Sequence, residues 1–145
     1  MQIKSATFGQ LQNNCYLVTD EASGRSALVD CTEYSDKMKD FIGDAKLDYI
    51  LLTHGHFDHI GGVAAVKAAT GAKVVISAED APMLTSSRKS LAAFFFSFLS
   101  QAPAQADIFG AGRRYRHLGQ HGLYRAGHAR SHPRRCVLYC RGLYL

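Results

Sequence analysis

Three histidines and one aspartate fall within six consecutive positions of this chain, in Thr53-His54-Gly55-His56-Phe57-Asp58-His59-Ile60-Gly61-Gly62. The apolar run Tyr49-Ile50-Leu51-Leu52 precedes them directly. Imidazole rings and carboxylates are costly to bury without partners, and glycines weaken both helix and strand. Such a segment makes poor core. It makes sense as a loop at the end of a buried strand, where rings and carboxylate are presented to a metal ion. Imidazole nitrogen and carboxylate oxygen are ligands that zinc accepts, and they do not exclude iron. His54, His56, Asp58 and His59 are the candidate metal ligands. The alternative is a polar loop whose histidines face solvent.

A length of 145 residues suits one domain with its own core, and the 47% hydrophobic content is ordinary for a globular chain. The opening residues Met1-Gln2-Ile3-Lys4-Ser5-Ala6 contain no long apolar stretch. The longest apolar run, Leu91-Ala92-Ala93-Phe94-Phe95-Phe96, is too short to span a bilayer. The expectation is a cytoplasmic protein without membrane contact. Cys15, Cys31, Cys136 and Cys140 show no paired framework, and the C-x3-C spacing of the last two is a weak zinc signal without two further ligands.

The net charge of +5 misleads when taken whole. Residues 1–110 hold 9 Lys+Arg against 12 Asp+Glu, whereas residues 111–145 hold 8 Arg and no Lys, Asp or Glu. The basic character belongs to the tail alone, so total charge is no argument for nucleic-acid binding.

Periodicity places strands at residues 3–8, 14–19 and 26–30, with a turn at 21–24. Residues 35–44 have helical spacing, with Met38, Phe41 and Ile42 on one face and Ser35 as N-cap. A buried strand at 48–53 delivers the histidine loop. A small-residue helix at 60–70 carries Val63 and Val66 and ends at Gly71. A strand follows at 73–77, then a short helix at 79–84 and an aromatic helix at 91–99 that reads as a core or lid element rather than a membrane or cofactor-binding one. The Phe94-Phe95-Phe96-Ser97-Phe98 region reads first as core and second as the wall of an apolar pocket.

The pattern His54-Gly55-His56-Phe57-Asp58-His59, followed by Gly61-Gly62, resembles the H-x-H-x-D-H motif of the metallo-β-lactamase-fold hydrolases. The nearest resemblance is to their small glyoxalase-II-like members. Asn14-Cys15-Tyr16-Leu17-Val18 and Leu28-Val29-Asp30 resemble that superfamily's first sheet. The resemblance covers residues 1–110 and implies an α/β fold, an αββα sandwich with metals at one edge of its sheets. Residues 1–110 would be the N-terminal half of that domain. It implies two zinc ions, the first on His54 and His56 and the second on Asp58 and His59. Asp58 would also orient the attacking water as the catalytic residue, and Asp30 would support the loop through hydrogen bonds. The implied activity is zinc-dependent hydrolysis of a small-molecule thioester, ester or phosphoester. An iron-dependent oxidoreductase of the same fold is one alternative, and a non-catalytic metal-binding or polyanion-binding protein is another.

A catalytic zinc needs about three protein ligands, and the motif supplies two per metal. The family pattern draws the others from a later T-P-G-H-T-P-G turn, a bridging aspartate and a last histidine. This chain has no acidic residue after Asp107. A one-base shift of reading frame accounts for the loss. When the last two bases of each codon open the next, His128-Ala129-Arg130-Ser131-His132-Pro133-Arg134 can decode as T-P-G-H-T-P-G. Leu118 to Tyr124 can likewise decode as a strand pair with a turn. The reading is that the frame slips between Phe109 and Arg113, leaving 111–145 as an out-of-frame tail with little structure and an impaired enzyme. Two alternatives remain for the tail. One is a basic segment whose arginines and tyrosines bind nucleic acid or another acidic partner. The other is His128 or His132 as a substitute ligand.

Overall fold

A computed structural model describes residues 1–95 and 102–110, and in the tail the strands 114–118, 121–126, 137–140 and 143–144. The first sheet has six strands in spatial order β1 (Gln2–Phe8), β2 (Asn13–Asp20), β3 (Arg25–Val29), β4 (Lys46–Leu51), β5 (Lys73–Ser77) and β6 (Ile108–Gly110). β1, β2 and β3 form an antiparallel meander. From β3 to β6 the neighbours run parallel, which requires crossover connections. Those crossovers carry α1 (Asp36–Ile42), α2 (Phe57–Ile60), α3 (Val63–Thr70), a 3-10 turn (Ala81–Thr85) and α4 (Ala92–Phe95).

Both faces of this sheet are apolar, and side chains alternate between them. Cys15, Leu17, Leu28, Ile50, Val74 and Ile76 pack with Met38 and Ile42 of α1 and Val63 and Val66 of α3. Val18, Ala27, Val29, Leu51 and Val75 form a second cluster, joined by Tyr16 and Tyr49. The tail holds a second, antiparallel sheet in spatial order β10 (Leu143–Tyr144), β9 (Val137–Cys140), β8 (His121–Ala126) and β7 (Arg114–Leu118).

The strands match the sequence expectation within one or two residues at most ends. Ser35 caps α1, its hydroxyl accepting from the Met38 N–H at 3.3 Å, and Gly71 closes α3 in the left-handed conformation at φ 72°. The helix expected over 60–70 is α3, which starts three residues later, and Gly61-Gly62 separate it from α2, a short turn of helix that the sequence reading did not expect. The core reading of the aromatic helix needs correction for the residues described. Its described part is only α4, and Phe94 and Phe95 are 75% and 65% exposed rather than core. Leu91 precedes it at a positive φ of 69°, and the Phe95 ring lies against Phe57 of the histidine loop, 5.1 Å between centroids. The element therefore sits over that loop, away from the clusters between sheet and helices. Phe96, Phe98 and Leu99 lie outside the described residues, as do His128 and His132. Among the described residues no helix is long and apolar enough to cross a membrane.

Candidate metal centre

β4 ends at Leu51, and the chain turns out of the sheet through Leu52 and Thr53 into the histidine loop. The loop is held by the carboxylate of Asp30, which immediately follows β3, the strand paired beside β4. Asp30 is buried, 3% exposed, and takes a left-handed backbone conformation at φ 56°. Aspartate is among the few non-glycine residues that visit this region readily. Its Oδ1 accepts from the Thr53 backbone N–H at 2.8 Å. Its Oδ2 accepts from the Thr53 hydroxyl and lies 2.8 Å from His59 Nδ1.

These bonds set the tautomers of two histidines. A carboxylate can only accept, so His59 Nδ1 carries the proton in the bond to Asp30. The Thr53 hydroxyl spends its one proton on Asp30 Oδ2. It must therefore accept from His54 Nδ1, 3.0 Å away. Both rings are left with an Nε2 lone pair, the form in which imidazole binds a metal. The three rings cluster, with centroid separations of 4.7 Å for His54 and His56 and 4.1 Å for His54 and His59. Burial, and then the neighbouring His59, push the His54 pKa down. Burial also opposes charge on His59, but the hydrogen bond to Asp30 and the negative charges of Asp30 and Asp58 outweigh it and raise its pKa.

Asp58 lies in the first turn of the short α2. Its Oδ2 lies 3.6 Å from His59 Nε2 and accepts from Asn13 Nδ2 at 2.8 Å. Asn13 is a supporting residue that sequence reasoning missed. The only available signal was a polar amide at the first position of a strand. Close backbone approaches fix the rest. A Cβ on Gly61 would stand 2.3 Å from the Thr32 carbonyl oxygen, and one on Gly62 would stand 2.4 Å from the Glu33 carbonyl. The His59 carbonyl accepts from the Cys31 N–H, and the Cys31 carbonyl accepts from the Gly62 N–H, both at 2.9 Å. On the other side, Phe57 N–H donates to the Ser90 carbonyl at 2.9 Å.

The donor set suits a divalent ion with imidazole and carboxylate preference. The structure brings His54, His56 and His59 together as rings and sets Asp58 beside His59. Among the described residues, no three His, Cys, Asp or Glu side chains form a group that could by itself hold a metal ion. Ligands offered in pairs need further donors to reach three per metal.

The profile of the metallo-beta-lactamase superfamily matches residues 8–135. The chain belongs to that superfamily. The matched range runs past residue 110 into the arginine-rich tail. A hydroxyacylglutathione hydrolase of Cereibacter sphaeroides (strain ATCC 17025) is 47% identical over 73 residues, covering 50% of this chain and 29% of that protein. A UPF0173 metal-dependent hydrolase of Staphylococcus aureus is 41% identical over 76 residues, covering 52% and 32%. The chain thus spans about a third of the length of these relatives. Among solved structures, the B3 metallo-beta-lactamase BLEG-1 superposes with a TM-score of 0.86 at 19% identity, covering 97% of this chain and 68% of that one. TTHA1623, solved in a di-iron-bound form, superposes with a TM-score of 0.72 at 26% identity, covering 94% and 66%. The metallo-beta-lactamase assignment agrees with the α/β sheet order and with the motif from which the sequence reading began.

Proposed function

We propose that this protein is a metal-dependent hydrolase in which His54 and His56 hold one metal ion and Asp58 and His59 hold a second. The observation that carries the reading is the Asp30 network, which leaves Nε2 of both His54 and His59 as lone pairs. A polar loop that merely faced solvent would have no use for a buried carboxylate that fixes two tautomers. Zinc is the proposed metal. A divalent ion there would activate a water near neutral pH and polarise a carbonyl or phosphoryl oxygen. Asp58, with Oδ2 engaged by Asn13, has Oδ1 left to orient the attacking water. The substrate is a small thioester, ester or phosphoester, with the thioester supported by the relatives named hydroxyacylglutathione hydrolase. Iron is the second reading, supported by the di-iron form of TTHA1623.

Two measurements test this. Titration of the metal-free chain should show zinc binding, weakly because each ion has only two donors in the loop; a preference for iron would favour the second reading, and no binding of either would sink both. Metal uptake should also weaken as pH falls. A proton and the metal compete for His59, and the raised pKa of His59 brings that competition in at a higher pH than for ordinary imidazole. Chelator competition at pH 8 and pH 6 should show clearly tighter zinc at pH 8, and equal affinity would count against His59 as a ligand.

The tail belongs to the same proposal. Residues 111–145 are read as an out-of-frame continuation, so this chain should retain metal weakly and turn over little substrate. Sequencing the DNA across codons 105–145 decides it. A neighbouring frame that runs through T-P-G-H-T-P-G to an aspartate-bearing turn supports the reading. Stop codons in that frame make the arginine tail genuine.

A further inference from the structure

The turn between β1 and β2 is built for more than closing a hairpin. Gly9 is left-handed at φ 69°, and a Cβ there would lie 2.5 Å from Thr32 Cγ2. Gln12, also at positive φ, reaches back so that its Nε2 donates to the Gly9 carbonyl at 2.9 Å. The turn is thereby pressed against the segment that follows Asp30. It delivers Asn13 at the first position of β2, in line with Cys15 and Leu17 on the helix-side face.

Asn13 Nδ2 sits 2.8 Å from both the Asp58 backbone carbonyl and Asp58 Oδ2. That carbonyl lacks the partner a continuing helix would give it, because the Gly62 N–H donates to Cys31 instead. Two acceptors on one residue therefore need two protons from one point. A carboxamide nitrogen carries two, whereas a hydroxyl carries one. A lysine or arginine could also donate twice, but its charge would neutralise the carboxylate that a cation needs.

We propose that Asn13 is a positioning residue for Asp58, one that ties Oδ2 and the backbone carbonyl together and so fixes the carboxylate beside Nε2 of His59. The proposal rests on the metal-hydrolase reading. Asn13 itself touches neither metal nor substrate.

A double-mutant cycle on the full chain tests it, using zinc affinity by chelator competition as the readout. Asn13→Ala should weaken zinc by about 10- to 100-fold, the range for losing a group that orients a ligand. In the Asp58→Ala background the same substitution should change affinity by less than about two-fold, because the group it positions is gone. Asn13→Ser, with one proton to give, should fall between. An equal loss in both backgrounds would make Asn13 a general structural residue, and no loss in either would dismiss it. A parent chain that binds no zinc would fail the metal-hydrolase reading instead. Positioning is then decided in the metal-free protein by NMR. Asn13 side-chain NH2 protons that are slow to exchange, and that shift in Asp58→Ala, support it; fast exchange with no shift overturns it.

Discussion

Asp30→Asn is expected to cost this protein about 2 kcal/mol of stability and at least about tenfold in zinc affinity, although it changes one atom. The carboxylate accepts three hydrogen bonds, one on Oδ1 and two on Oδ2. A carboxamide has only one accepting atom. If its NH2 takes the Oδ2 position, it faces the Thr53 hydroxyl and His59 Nδ1, and His59 must move its proton to Nε2 to receive the bond. Nε2 then has no lone pair for a metal. If the NH2 takes the Oδ1 position, it meets the Thr53 backbone N–H, donor against donor. The first orientation costs the lone pair at Nε2, and the second leaves a buried donor unpaired. Thermal unfolding of the metal-free protein and zinc competition of the loaded one read the two effects separately. An unchanged zinc affinity would refute the tautomer argument.

Gly62→Ala is the second large effect, and its cause is contact rather than conformation. Gly62 has an ordinary φ of −93°, so an alanine there is not strained by its backbone. Its Cβ, however, would stand 2.4 Å from the Glu33 carbonyl carbon and oxygen and 2.8 Å from Cys31 Sγ. Backbone cannot yield as a flexible side chain can. The expected loss is about 3 kcal/mol, at the upper end of overpacking costs. Gly24→Ala is the control with the opposite logic. Gly24 is left-handed at φ 67° but has nothing within 4 Å of the added carbon. It should lose only about 1 kcal/mol, the conformational cost alone. Chemical denaturation of the three proteins measures both losses, and equal losses would show that the loop can back away from residues 31–33.

The histidine loop was legible because its candidate ligands are adjacent in sequence. The strands were legible because period-2 burial leaves a mark on composition, as in Leu28 and Val29 facing opposite ways. Ser35 and Gly71 were legible because capping chemistry is local. What escaped was everything that depends on distance along the chain. Asn13 meets Asp58 across 45 residues, and nothing in either neighbourhood announces the pairing. The left-handed backbone of Asp30, and the two protons it directs, are visible only once β3 and β4 lie side by side. The sequence suggested support from Asp30 by resemblance alone, without its means. The aromatic segment misled because hydrophobicity reports a preference for burial, not a place to be buried. Phe95 found the ring of Phe57 rather than the sheet.

The groups that orient the ligands have an order in time as well as in space. Asn13, Asp30 and Thr53 all leave the ribosome before His59, the last candidate ligand of the loop. Synthesis proceeds at about 5–20 residues per second, and folding tends to begin at the N-terminus. The ring tautomers and the Asp58 rotamer can thus be set while the remainder of the chain is still being made. On the metal-hydrolase reading, the nascent chain would then hold both rings in the tautomer that leaves Nε2 free before the tail is made.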